Sequence, residues 1–181
     1  MGKGMRLLGE DNDSYMFIAD HNVGRCTKCG RILDKGYVNP KFELMKDNYD
    51  VSYTYDGYCV VSNKLKEFCA RFHCEEVDFV PLPSVPGFFV FLVRRVVEFD
   101  SERRKTRFEN YCDACRRFET VVGANPVFLK SQEPLQNGFF RTDLEFGSGD
   151  EQHPLLLVGH ETYERLRREK LKGVTFEGIK G

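Results

Sequence analysis

The sequence predicts an α+β protein: a mixed, mostly antiparallel sheet with two strand-helix-strand units and a four-cysteine zinc site. Three observations predict it. Two CxxC pairs, Cys26-Thr27-Lys28-Cys29 and Cys112-Asp113-Ala114-Cys115, stand with 82 residues between them. Short apolar runs of strand length, separated by turn residues, fill most of 87–146. A strand-helix-strand pattern at about 58–80 returns at about 155–177. Residues 1–181 are read as a single domain, its two similar sub-units joined by a central hairpin at 87–111.

In chain order, residues 5–19 open with apolar clusters broken by Gly9-Glu10-Asp11-Asn12-Asp13, and 14–19 reads as a short strand. A polar turn, Asp20–Gly24, leads to the first cysteine pair. Residues 31–57 are irregular, with weak strand signals near 36–38 and 49–55. Tyr58-Cys59-Val60-Val61 is a strand, and Ser62 is placed to cap the helix that follows. Leu65, Phe68, Cys69 and Phe72 recur at helical spacing and form one apolar face. Val77 and Phe79 alternate with Asp78 in a strand stopped by Pro81-Leu82-Pro83.

Residues 87–99 make the strongest strand. The first half is apolar on both faces, which places it centrally in the sheet. Asp100–Arg104 is a charged turn, and 106–111 returns as the hairpin partner. Further strands are expected at 118–122, 126–129 and 139–146, with turns at 123–126 and 136–138. The last unit is a strand at 156–158, a helix from about His160 to Lys170, and a strand at 174–176. A shift of 97 positions aligns it onto 58–80 without a gap, matching Val61 to Val158, Glu67 to Glu164, Arg71 to Arg168, Val77 to Val174 and Phe79 to Phe176. Cys69 and Cys74 fall on Leu166 and Leu171, so those cysteines, like Cys59, read as small core hydrophobes.

The net charge of −1 gives no global pull toward nucleic acid or anionic membrane. No apolar run reaches the roughly 18–20 residues of a membrane span, and the N-terminus lacks the apolar core of a signal peptide. A reducing, cytoplasmic setting follows as the expectation, in which disulfides are rare.

A CxxC brings two sulfurs to one ion from a tight turn, and four thiolates complete a tetrahedral zinc site. The predicted ligands are Cys26, Cys29, Cys112 and Cys115, holding one structural zinc per chain. Gly30 suits the positive-φ backbone that follows such a pair. Arg116 occupies the same place in the second pair, so that turn is expected to differ. Closing the long loop costs on the order of 4 kcal/mol plus a constant. Structural zinc in small domains contributes roughly 10–16 kcal/mol. A thioredoxin-like redox role is the alternative, but it wants a strand before the motif and a helix after it. His21 is the one nearby substitute ligand. Four thiolates leave no open coordination position, which argues against catalytic zinc.

Basic residues cluster at 165–172, with five positive charges against Glu169, and around the first pair at Arg25, Lys28 and Arg31. They offer a phosphate-facing surface or a solvated one. Asp143, Glu145, Asp150 and Glu151 form an acidic loop suited to a cation, a basic partner or plain solvent. The chain has no Walker loop, HExxH, GxSxG or GxGxxG.

The two separated pairs, with Cys26-x-x-Cys29-Gly30 first, resemble the bacterial double-CxxCG proteins. So do Asp56–Ser62, Thr142–Gly147 and the closing Glu169–Phe176. The likeness covers about residues 14–178. Members of that family are often immunity proteins of polymorphic toxin systems. The resemblance implies a cytoplasmic, non-enzymatic protein, stabilised by zinc, that binds and neutralises a cognate toxin. The alternatives are a zinc-containing nucleic-acid-binding module and an enzyme with an unrecognised site. The acidic loop at 143–151 is the expected toxin-facing surface.

Overall fold

The structure is a computed structural model that describes residues 3–17 and 24–181. The chain runs β1 (Met5–Asp11), β2 (Val51–Tyr53), β3 (Cys59–Ser62), α1 (Asn63–Arg71), β4 (Val77–Pro81), β5 (Phe88–Val93) and β6 (Val96–Val97). It continues with α2 (Ser101–Arg104), β7 (Arg107–Cys112), β8 (Arg117–Val122), β9 (Phe139–Ser148), β10 (His153–Val158), α3 (His160–Glu169) and β11 (Val174–Gly178). The strands join in the order β4-β5-β3-β2-β1-β10-β9-β8-β7, with β11 on β1 and β6 on β9. Most pairs are antiparallel; β1–β2 and β6–β9 are parallel.

Strand β1 is the seam, although no strand is expected there from the sequence. Its first residues pair with β10 and β11, and its last two, Glu10 and Asp11, pair with β2. Around the seam the two sides have matching registers. Strand β5 lies between β3 and β4, pairing Phe89 with Val61 and Val93 with Val77. Strand β1 lies between β10 and β11, pairing Met5 with Val158 and Gly9 with Val174. Both central strands run antiparallel to both neighbours. Helices α1 and α3 cover one shared core, in which Leu65, Phe68, Cys69 and Leu166 pack with Phe91, Phe139 and Leu156. Arg71 of α1 pairs with Glu169 of α3 at 2.6 Å.

Several expectations need correction. The hairpin at 87–111 does not form. Residues 87–99 split at Arg94-Arg95: β5 stays with β3 and β4, while β6 crosses to β9. Asp100 caps the short helix α2, accepting from the Arg103 N–H at 3.0 Å. Strand β7 then pairs with β8 at the far edge of the sheet. The β7–β8 turn is short, so this local pairing is the easier closure.

Residues 14–17 are not a strand, because the Asp56 carboxylate takes the Met16 and Phe17 N–H groups, each at 2.9 Å. The rest of that expected strand, and His21, lie outside the described residues. Residues 36–38 form no strand. Residues 126–129 make only isolated bridges, Phe128 with Lys180 and Leu129 with Phe99. Ser62 stands at the α1 N-cap, but its hydroxyl donates to Asp50 at 2.6 Å and caps no amide.

Candidate metal centre

Each cysteine pair sits on a tight two-stranded turn. In the first, the Cys26 N–H donates to the Arg31 carbonyl and the Gly30 N–H donates to the Cys26 carbonyl, both at 2.8 Å. An isolated bridge between Arg25 and Ile32 closes its base. In the second, Cys112 pairs with Arg117 across the β7–β8 turn. Cysteine and arginine thus face each other across the same interval in both turns.

The residue after each second cysteine is left-handed, with φ 76° at Gly30 and 56° at Arg116. The turns therefore match where the sequence suggested that they differ. A side chain raises the cost of this backbone by roughly 1–2 kcal/mol but does not forbid it.

The four sulfurs converge. Cys26 Sγ is 3.8 Å from Cys112 Sγ, and Cys29 Sγ is 3.7 Å from Cys115 Sγ. All four lie within 4.8 Å of one another. A tetrahedron with Zn–S bonds of about 2.3 Å has edges of about 3.8 Å. A disulfide needs about 2.05 Å, so these are separate thiols at metal-ligand spacing. The predicted residues are therefore brought together, and the set fits a thiophilic cation. Four thiolates saturate such an ion and supply structural cross-linking, not an open Lewis-acid position.

Electrostatics favour a cation here. The N–H groups of Cys29 and Lys28 aim at Cys26 Sγ and bring its pKa down to about 6. The Arg31 N–H acts on Cys29 in the same sense. Burial and the neighbouring sulfurs outweigh it and push that thiol up to about 12. Cys115 is raised by burial and by Cys112. Cys26 ionises readily while Cys29 and Cys115 resist a second negative charge, the conflict that a divalent cation removes.

A polar frame that sequence reasoning missed surrounds the cluster. Both turns read Cys-x-x-Cys-x-Arg, and both arginines reach Glu145 of β9. Arg31 is buried and pairs with Glu145, and Arg117 reaches the same oxygen at 3.3 Å. Asp150 accepts from the Ile32 N–H at 2.8 Å and from Arg25. Lys28 and Asp113 join the two turns at 2.6 Å on the surface. The repeated arginine was the available signal.

This frame also corrects the acidic loop. Glu145 and Asp150 are taken by the metal turns, and Asp143 accepts from the Phe99 N–H at 2.8 Å. Those three carboxylates are engaged within the chain, although Asp143 itself is exposed. Some of the cations proposed for nucleic acid are similarly engaged, while Arg168, Lys170 and Lys172 are exposed. Arg25, Lys28 and Arg31 are paired as above, and Arg165 and Arg167 pair with Glu161 and Glu164 on α3. Cys59 and Cys69 are buried, and Cys74 is partly buried against the same core. Among the described residues, no helix is long and apolar enough to cross a membrane. The chain matches no family model, no curated protein and no solved structure.

Proposed function

We propose that this chain is a cytoplasmic immunity protein that binds and neutralises a cognate toxin, with one structural zinc on Cys26, Cys29, Cys112 and Cys115. The observation that carries the reading is what the cluster holds in place. Its second turn fixes β7, an edge strand exposed from Arg107 to Tyr111. Phe108 and Tyr111 pack at a tilt against Phe118, at 5.1 and 5.0 Å between ring centres, and Tyr111 remains 57% exposed. Aromatic side chains on a rigid strand edge suit protein recognition through added main-chain pairing. A saturated thiolate site beside that strand suits architecture better than catalysis.

The matching registers around β5 and β1 support a further reading of the fold. Residues 58–80 and 155–177 are two strand-helix-strand units, each split by a third strand from elsewhere in the chain. The binding strand stands outside both.

Co-expression with the toxin encoded by the adjacent gene tests the proposal. The chain should restore growth, and Phe108→Asp and Tyr111→Asp should abolish rescue while retaining metal and fold. Failure of the wild-type chain to rescue against any neighbouring toxin would refute it.

A further inference from the structure

A cleft of about 170 Å³ opens between the segment that follows the first metal turn, Ile32–Gly36, and strands β3, β5, β9 and β10. Its apolar lining includes Leu92 and Leu156. Its charged lining is mostly basic. Lys35, Arg94, Arg117 and Arg141 line it against only Asp34 and Glu145.

Two of those cations are already answered. Arg94 pairs with Asp78 at 2.6 Å, and Lys35 Nζ donates to the carbonyls of Asp56 and Asp150. The other two are not fully answered. Glu145 is shared between Arg117 and Arg31, so one carboxylate serves two guanidinium groups. Arg141 reaches only the Thr142 carbonyl, at 3.3 Å, and has no ion pair among the described residues. With Glu145 divided between Arg117 and Arg31, and Arg141 without an ion pair among the described residues, the cleft lining is short of negative charge.

We propose that this cleft binds a small organic carboxylate, with its apolar body on Leu92 and Leu156 and its head on Arg141 and Arg117. A planar guanidinium matches a carboxylate with two parallel N–H donors, and a concave site with few convergent polar groups is the usual form of a small-ligand pocket. The first metal turn leads directly into one wall of the cleft and the second supplies Arg117, so the metal centre shapes the site. This ligand site is separate from the β7 edge and does not depend on the immunity reading.

The test is calorimetry on the metal-loaded full chain with butanoate, hexanoate, benzoate and 3-phenylpropanoate, each beside its neutral amide. At least one acid should bind, and at least tenfold more tightly than its amide. Arg141→Gln should weaken that acid at least tenfold, and Arg141→Lys should weaken it less. Amide shifts in the wild-type chain should centre on Leu92 and Leu156, a readout that stands even if a variant fails to fold. The proposal is overturned if no acid binds, if acid and amide bind alike, or if folded Arg141→Gln binds the acid unchanged. Inorganic phosphate binding more tightly than every acid would also overturn it, since the head group would then be a phosphate.

Discussion

Cys26 Sγ lies 3.8 Å from Cys112 Sγ, although the two residues are 86 positions apart. The contact joins an irregular early segment to the outermost hairpin of the sheet. None of the four clustered cysteines belongs to the three apolar cores, so hydrophobic packing alone does not hold the two turns together. The arginine clamps on Glu145 do so, and a metal ion on the four sulfurs would add a cross-link.

The left-handed residues after the two pairs should respond in opposite ways to substitution. Gly30→Ala adds a Cβ that meets nothing within 4 Å, so its cost is conformational alone, about 1 kcal/mol. Arg116→Gly relieves the same strain and should stabilise by about 0.5 kcal/mol, after the entropy cost of glycine. Thermal unfolding of the metal-loaded proteins checks both signs. Destabilisation by both variants would show that the two turns are not equivalent.

Glu145→Gln leaves the buried Arg31 guanidinium, whose side chain is 6% exposed, without its carboxylate. Losing one partner of a buried pair costs about 3 kcal/mol. Both metal turns lose a shared anchor, so zinc affinity should fall by about tenfold. Urea unfolding and competition with a chromophoric chelator measure the two effects. Asp113→Asn, at the exposed Lys28 pair, should change stability by less than about 1 kcal/mol.

Lys35 gives a pH signature. Burial lowers its pKa from 10.5 to about 8 in the folded chain. The unfolded chain therefore holds more protons between those values, and the Lys35 contribution to stability rises with pH across that window. Below pH 8 the charged amine bears its full burial penalty. Relative to Lys35→Met, the wild-type protein should gain stability from pH 8 to 10, by at most about 1.4 kcal/mol per pH unit. Denaturation curves at matched ionic strength test this. A constant difference between the proteins would place Lys35 in solvent.

Local patterns in the sequence were informative where the chain pairs with its neighbours in sequence. The α1 face of Leu65, Phe68 and Cys69 is buried as its spacing implied, and α3 spans His160–Glu169. The cysteines converge as CxxC chemistry implied. Long-range pairing was not legible. The apolar run at 87–99 does not exist as one strand because Arg94-Arg95 carries the chain from β5 to β6, and no local signal announces that crossing. Strand β1 was hidden because the Gly9–Asp11 end looks like a turn, yet it pairs with β2 and β11. The acidic loop looked solvated because its arginine partners are over 100 residues away for Arg31 and Arg25.

X-ray absorption at the zinc edge, on protein purified without chelators, tests the metal centre most directly. The account predicts one zinc per chain with four sulfur neighbours at about 2.3 Å and no nitrogen or oxygen neighbour. It also predicts that Cys26→Ser, Cys112→Ser protein loses that spectrum. Protein that retains no metal, zinc with a nitrogen or oxygen ligand in the wild-type chain, or an unchanged four-sulfur shell in the double variant would contradict it.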